Sequence, residues 1–268
     1  MYVAAVAATI LLIAALPGRP AAAAAPHPGV VHGSTKAGSL TGAARLADEG
    51  KDHYLLFPLR CVGLAAVDAN AWAHPDVVGA MLAVARDLRA AHPDAPRVPV
   101  GELSAELGGK LAHHLSHQNG LDADVFFLRR NTTTASSSIK TSDALAAAEL
   151  PQCTYGPSYE VRDPASGRWG VSPDFDRELA WALASRFAAR PDVQVIFVGT
   201  LLKRELARWA RASGIPARER SRTLAKLYPV FCRMPKGVEM DSYRHNWCPH
   251  DDHLHVRFRC PKDSPECR

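Results

Sequence analysis

Asp251-Asp-His-Leu-His-Val-Arg-Phe258 places two imidazoles where they can act together. Read as a β-strand, the run alternates. His253, His255 and Arg257 share one face, and Leu254, Val256 and Phe258 share the other. Ser116-His-Gln-Asn-Gly-Leu-Asp-Ala-Asp-Val-Phe126 has the same design, with Asp122 and Asp124 on one strand face and His117 just upstream. Two histidines and an aspartate from separate strands can hold a zinc ion and leave its fourth position open. That arrangement marks a catalytic zinc, whereas structural sites use four protein ligands, often cysteine.

Seven of the twelve histidines fall in the windows 113–117 and 245–255. A lone histidine on a strand face is ordinary polar surface, but two clusters flanked by aspartates are not. Other catalytic designs are missing. There is no His-Glu-x-x-His helix motif, no Gly-x-Ser-x-Gly elbow and no phosphate-binding loop. Ser116 beside His117 lacks any sign of an elbow or an oxyanion hole.

These residues need elements to carry them. Tyr54–Leu59 reads as a short strand. Val77, Val78, Met81, Leu82, Ala85 and Leu88 recur at helical spacing between Pro75 and Pro93. Residues 99–113 read as a loop delivering His113, His114 and His117, and Asp122–Leu128 as the first site strand. A polar surface loop is expected over 132–138. Ser172-Pro173 predicts a helix start, Val193–Val198 a strand, and Thr200 a cap for a helix ending near Gly214. Residues 216–228 read as helix, and 253–258 as the closing strand. No repeat or linker breaks the chain. The expectation is one α+β domain, a central antiparallel sheet carrying the zinc site and flanked by helices.

The chain has 268 residues, 47% of them hydrophobic, enough for one good core. The apolar run Val3–Leu16 and the alanines ending at Ala25 read as a secretory signal peptide over 1–25, leaving a domain over 26–268. No later segment is apolar enough to span a bilayer. Six cysteines in an exported chain suggest disulfides. Cys260 and Cys267 flank a turn-rich hexapeptide and can clip the C-terminal region. Proximity suggests Cys232 with Cys248, leaving Cys61 with Cys153, but sequence does not decide these pairings. A net charge of +5 suits an anionic polymer. Export favours cell wall over nucleic acid, and no dense Lys/Arg run or aromatic-basic interleaving supports the latter.

Ser116–Val125 together with His250–Arg257 resembles the penicillin-insensitive murein endopeptidases, within the wider group of lysostaphin-like and D-Ala-D-Ala zinc peptidases. The shared pattern is a His, an Asp seven residues on, and a distant His-x-His, here His117, Asp124 and His253-Leu254-His255. Weaker similarity includes Gly38–Leu40, Gly101-Glu-Leu-Ser104 and Val195–Val198. The resemblance implies Zn²⁺ held by His117, Asp124 and His255, with His253 catalytic and His114 and His250 as further site histidines. His113 and His245 are read as bystanders. For Asp122, ligand orientation and strand or loop hydrogen bonding both fit, and Asp251 and Asp252 have the same two readings. The resemblance further implies a periplasmic zinc metallopeptidase hydrolysing peptidoglycan cross-links of the D-alanyl-meso-diaminopimelate type. Alternatives are a zinc D-Ala carboxypeptidase on stem peptides and a non-catalytic wall-binding protein.

Overall fold

A computed structural model describes residues 29–56, 70–111, 114–130, 156–163, 165–230 and 250–268. The expected signal peptide, the loop at 132–138, His113, His245 and the cysteines 61, 153, 232 and 248 lie outside these residues.

In chain order the strands are β1 (Val30–Ser34), β2 (Ala37–Thr41), β3 (Ala44–Arg45), β4 (His53–Leu55), β5 (Trp72–Ala73), β6 (Val98–Val100), β7 (Asp122–Phe126), β8 (Glu160–Arg162), β9 (Trp169–Val171), β10 (Val193–Gly199), β11 (Leu227–Val230) and β12 (His253–Phe258). The helices are α1 (Pro75–Ala91), α2 (Arg177–Ala189), α3 (Thr200–Ala212) and α4 (Ala217–Lys226).

Six strands form the main sheet in the order β11-β10-β12-β7-β6-β4. The architecture is α+β, but the sheet is mixed rather than antiparallel. Its middle, β10-β12-β7-β6, pairs antiparallel, while β11 runs parallel to β10 and β4 parallel to β6. The reason is connectivity. Helix α1 lies between β4 and β6, and α3 with α4 between β10 and β11, and such helical crossovers return the chain in the same direction. The two-residue periodicity of the strands carries no information about either return.

The alternation in β12 is realised. Leu254, Val256 and Phe258 are buried in the core with Val125, Ile196, Val198 and Leu183. Strand β7 is buried at all five positions, so Asp122 and Asp124 sit in the interior.

Three local expectations change. The helix after Ser172 begins later, at Arg177, with Asp176 Oδ1 accepting from Leu179 N at 2.9 Å. Ser172 Oγ instead accepts from Asp174 N in a tight turn. Thr200 does not cap α3. Gly199 is the cap residue, and Thr200 Oγ1 donates to the Val230 carbonyl. The capping oxygen comes from β8: Glu160 Oε1 accepts from Leu201 N at 2.7 Å and Leu202 N at 3.2 Å. Finally, the helix expected over 216–228 stops at Lys226, and Leu227 pairs with Ile196 to begin β11. The first change is a local choice of cap, Asp176 in place of Ser172. In the other two a distant segment supplies a better backbone partner than the local sequence does.

Candidate metal centre and its histidine cluster

Strands β7 and β12 are adjacent, and their register sets His255 opposite Asp124 and Arg257 opposite Asp122. His117 enters from the loop before β7 with φ of 66°, and His250 enters the turn before β12 with φ of 66°. Among the described residues these are the non-glycine residues with positive φ. That conformation costs backbone energy for any residue with a Cβ, and it concentrates at functional sites.

The ring of His117 is fully buried, and its Nδ1 donates to the Leu103 carbonyl at 2.7 Å. That bond turns Nε2 toward Asp124, 3.4 Å from Oδ1. His255 Nδ1 approaches the same oxygen to 3.2 Å. Neither His117 Nε2 nor Asp124 Oδ1 has a hydrogen-bond partner, although both are buried. A buried carboxylate oxygen facing imidazole nitrogens without hydrogen bonds is costly unless a cation lies among them. The donor set therefore fits a metal, and nitrogen with carboxylate oxygen suits zinc. His114 belongs to the cluster too: ligand atoms of His114, His117 and Asp124 lie within 4.8 Å of one another.

His253 lies two residues before His255 on β12, the next position on the same face. Its Nδ1 donates to Asp252 Oδ1 at 2.5 Å, and its Nε2 lies 2.9 Å from His250 Nδ1 and 3.5 Å from Asp124 Oδ1. Burial disfavours its charge, but Asp124 and Asp252 outweigh burial and push its pKa up to about 9. His250 shifts the other way. Burial, reinforced by His253 and His255, holds it well below the ordinary histidine value. The two rings are within hydrogen-bond distance. Their surroundings push them in opposite directions, His253 toward the protonated form and His250 toward the neutral one, a division of labour suited to acid–base work.

Asp122 is more than a strand residue. It accepts from His117 N at 3.1 Å and from both Nε and Nη2 of Arg257, and its Oδ1 is 3.2 Å from His255 Nε2. One buried carboxylate thus fixes the loop carrying His117 and contacts the far side of the His255 ring. Asp251 is buried, with its carboxylate against Ser158.

Sequence reasoning assigned no role to Glu102. Its Oε1 lies 3.5 Å from His114 Nε2, and it opposes the burial penalty to raise the pKa of His114. The signal was present in Gly101-Glu102. Gly101 must be glycine because a Cβ there would sit 2.5 Å from the Phe126 ring, and that close approach brings Glu102 beside Asp124.

A family model for penicillin-insensitive murein endopeptidases matches residues 31–233. The match contains His114, His117, Asp122 and Asp124 and ends before β12. Penicillin-insensitive murein endopeptidases of Escherichia coli O157:H7 (strain EC4115 / EHEC), Escherichia coli (strain K12 / DH10B) and Shigella boydii serotype 18 (strain CDC 3083-94 / BS512) are each 28% identical over 173 residues. These alignments cover 63% of this chain and 48% of each relative, so the chain spans about half the length of the curated relatives it matches.

Proposed function

The chain belongs to the penicillin-insensitive murein endopeptidase family, and on that premise we propose that it is a zinc-dependent peptidase hydrolysing cross-linking peptide bonds of peptidoglycan. The bond class is D-alanyl-meso-diaminopimelate. The protein acts in the periplasm as residues 26–268, after loss of a signal peptide over 1–25. No helix among the described residues is long and apolar enough to cross a membrane.

The observation that carries the reading is the buried, unpartnered pair His117 Nε2 and Asp124 Oδ1, with His255 Nδ1 on the same oxygen. His117, Asp124 and His255 hold the ion, and the mutual proximity of His114, His117 and Asp124 favours His114 as a competing third ligand. Zinc bound there would polarise a peptide carbonyl and lower the pKa of water to about 7.

The protein's own groups do the rest. Asp252 orients His253 through Nδ1, so the proton of His253 is presented at Nε2 toward the cluster. That cation can stabilise negative charge developing on a substrate oxygen or return a proton to a leaving amine. Neutral His250 accepts at Nδ1 and can relay the proton. Asp122 holds the His117 loop and the His255 ring in place. No serine nucleophile takes part, so β-lactams have nothing to acylate.

The test is incubation of purified disaccharide-peptide dimers with the protein, followed by mass spectrometry. Monomers should appear, penicillin should not prevent it, and chelators should abolish it. Release of terminal D-alanine from intact dimers would replace this reading with the carboxypeptidase. Bound but unaltered dimers would indicate a non-catalytic wall-binding protein.

A further inference from the structure

A cleft of about 600 Å³ lies at the Arg257 end of β12, between the β1–β2 turn, the start of β10 and the C-terminal loop. The charged side chains that line it are all cationic: Lys36, Arg257, Arg259 and Arg268. Thr35 and Gln194 add polar groups, and no Asp or Glu is among the described residues that line it. The nearby acids are engaged elsewhere, Asp192 with Arg190 and Glu266 with His32.

The cleft is built rather than incidental. The Cys260–Cys267 disulfide, with Cα atoms 5.6 Å apart, ties together the residues next to Arg259 and Arg268. Gly33 N donates to the Glu266 carbonyl and Arg268 N to the Gly33 carbonyl, which docks this loop on β1. Gln118 N donates to the Thr35 carbonyl, which joins the cleft wall to the loop carrying His117. Arg257 spans both sites. Its Nε and Nη2 hold Asp122, leaving the Nη1 edge outside that pair, and it lies two residues beyond His255, about 7 Å along the strand.

We propose that this cleft is a substrate subsite that binds a free carboxylate of the peptidoglycan stem peptide while the scissile bond lies at the histidine cluster. The assignment rests on the murein endopeptidase reading. Arg257 is paired with Asp122, but Lys36, Arg259 and Arg268 line the same cleft with no carboxylate side chain among its lining residues. Such a set selects an anion, and guanidinium groups match a carboxylate in particular. A peptide anchored there is also held in register with His253 and His255.

The test uses the full, zinc-loaded chain and two probes, disaccharide-tetrapeptide and its amidated form. Binding is followed by calorimetry and dimer hydrolysis by mass spectrometry. Lys36 and Arg259 are exposed and outside the histidine cluster, so the Lys36→Ala/Arg259→Ala variant should fold, and Lys36→Glu/Arg259→Glu gives a charge-reversed check. The Ala variant should raise the tetrapeptide Kd about tenfold and KM for dimers in step, with kcat within about twofold. Charge reversal should weaken binding further, and the amidated probe should bind weakly and equally to all three proteins. Equal binding of acid and amide to the wild type, or an unchanged Kd in both variants, overturns the subsite whatever the activity. Wild-type protein that prefers the acid yet leaves dimers intact refutes the endopeptidase reading alone and supports the cleft.

Discussion

Arg257 and Asp122 face one another across β12 and β7 and close a two-point ion pair, Nε to Oδ1 at 2.7 Å and Nη2 to Oδ2 at 3.1 Å. Asp122 is completely buried, and the same carboxylate receives the backbone N–H of His117. The pair therefore links sheet stability to the geometry of the histidine cluster. Arg257→Leu leaves a buried charge with two hydrogen bonds fewer, and stability should fall by about 3 kcal/mol in urea unfolding. A loss under about 1 kcal/mol would mean that His117 N and His255 suffice to hold Asp122.

Removing the proposed ligands separates the two candidates for the third metal position. His117→Ala should lose zinc and turnover together, and full zinc occupancy in that variant would refute the ligand set. His255→Ala should weaken zinc binding by more than about 100-fold, and His114→Ala by about tenfold or less. The reverse order, measured with a competing chelator, would make His114 the ligand.

His253→Ala should keep its zinc. Turnover should drop by about 10²–10⁴-fold, the typical loss for a general acid–base group. Wild-type rates would remove His253 from the chemistry and leave it a neighbour of Asp252.

Asp251 is outside the proposed ligand set and gives its own pH signature. Burial is the main cause that raises its pKa to about 7, with Asp252 and Glu160 adding to it and Ser158 and His253 opposing. A carboxyl with a raised folded-state pKa favours the fold while protonated. That contribution is whole below the unfolded value near 3.8 and is lost as pH climbs toward 7. Asp251→Asn should therefore match wild type at pH 4. It should exceed it by about 2–4 kcal/mol at pH 8. Parallel stability curves from pH 4 to 8 would contradict this.

Glu160 should matter to α3 although it lies about forty residues away. Glu160→Ala removes the acceptor of Leu201 N and Leu202 N, and Gly199 offers no substitute. The expected cost is about 1–2 kcal/mol, seen as lower thermal stability. Unchanged hydrogen-exchange protection at Leu201 and Leu202 would argue against the cap.

The sequence by itself determined what local pattern can carry. Period-two alternation in 253–258 chose the apolar face of β12, and helical spacing from Val77 to Leu88 chose the inner face of α1, except at Leu82, which is exposed. His117, Asp124 and His253-x-His255 were legible because metal chemistry requires those types at short, strand-compatible spacings. The turn between Cys260 and Cys267 allowed their disulfide, which the structure contains. Tertiary structure decided whatever depends on partners distant in the chain. It made the sheet mixed, because crossover direction is not encoded in a strand's own periodicity. It gave the cap of α3 to Glu160 and ended α4 at Lys226, because pairing with β10 outweighs two further residues of helix. It brought Glu102 to His114 and Arg257 to Asp122. Each of these contacts exists only once the strands and their loops are packed, since charge pairing depends on distance in space and not along the chain.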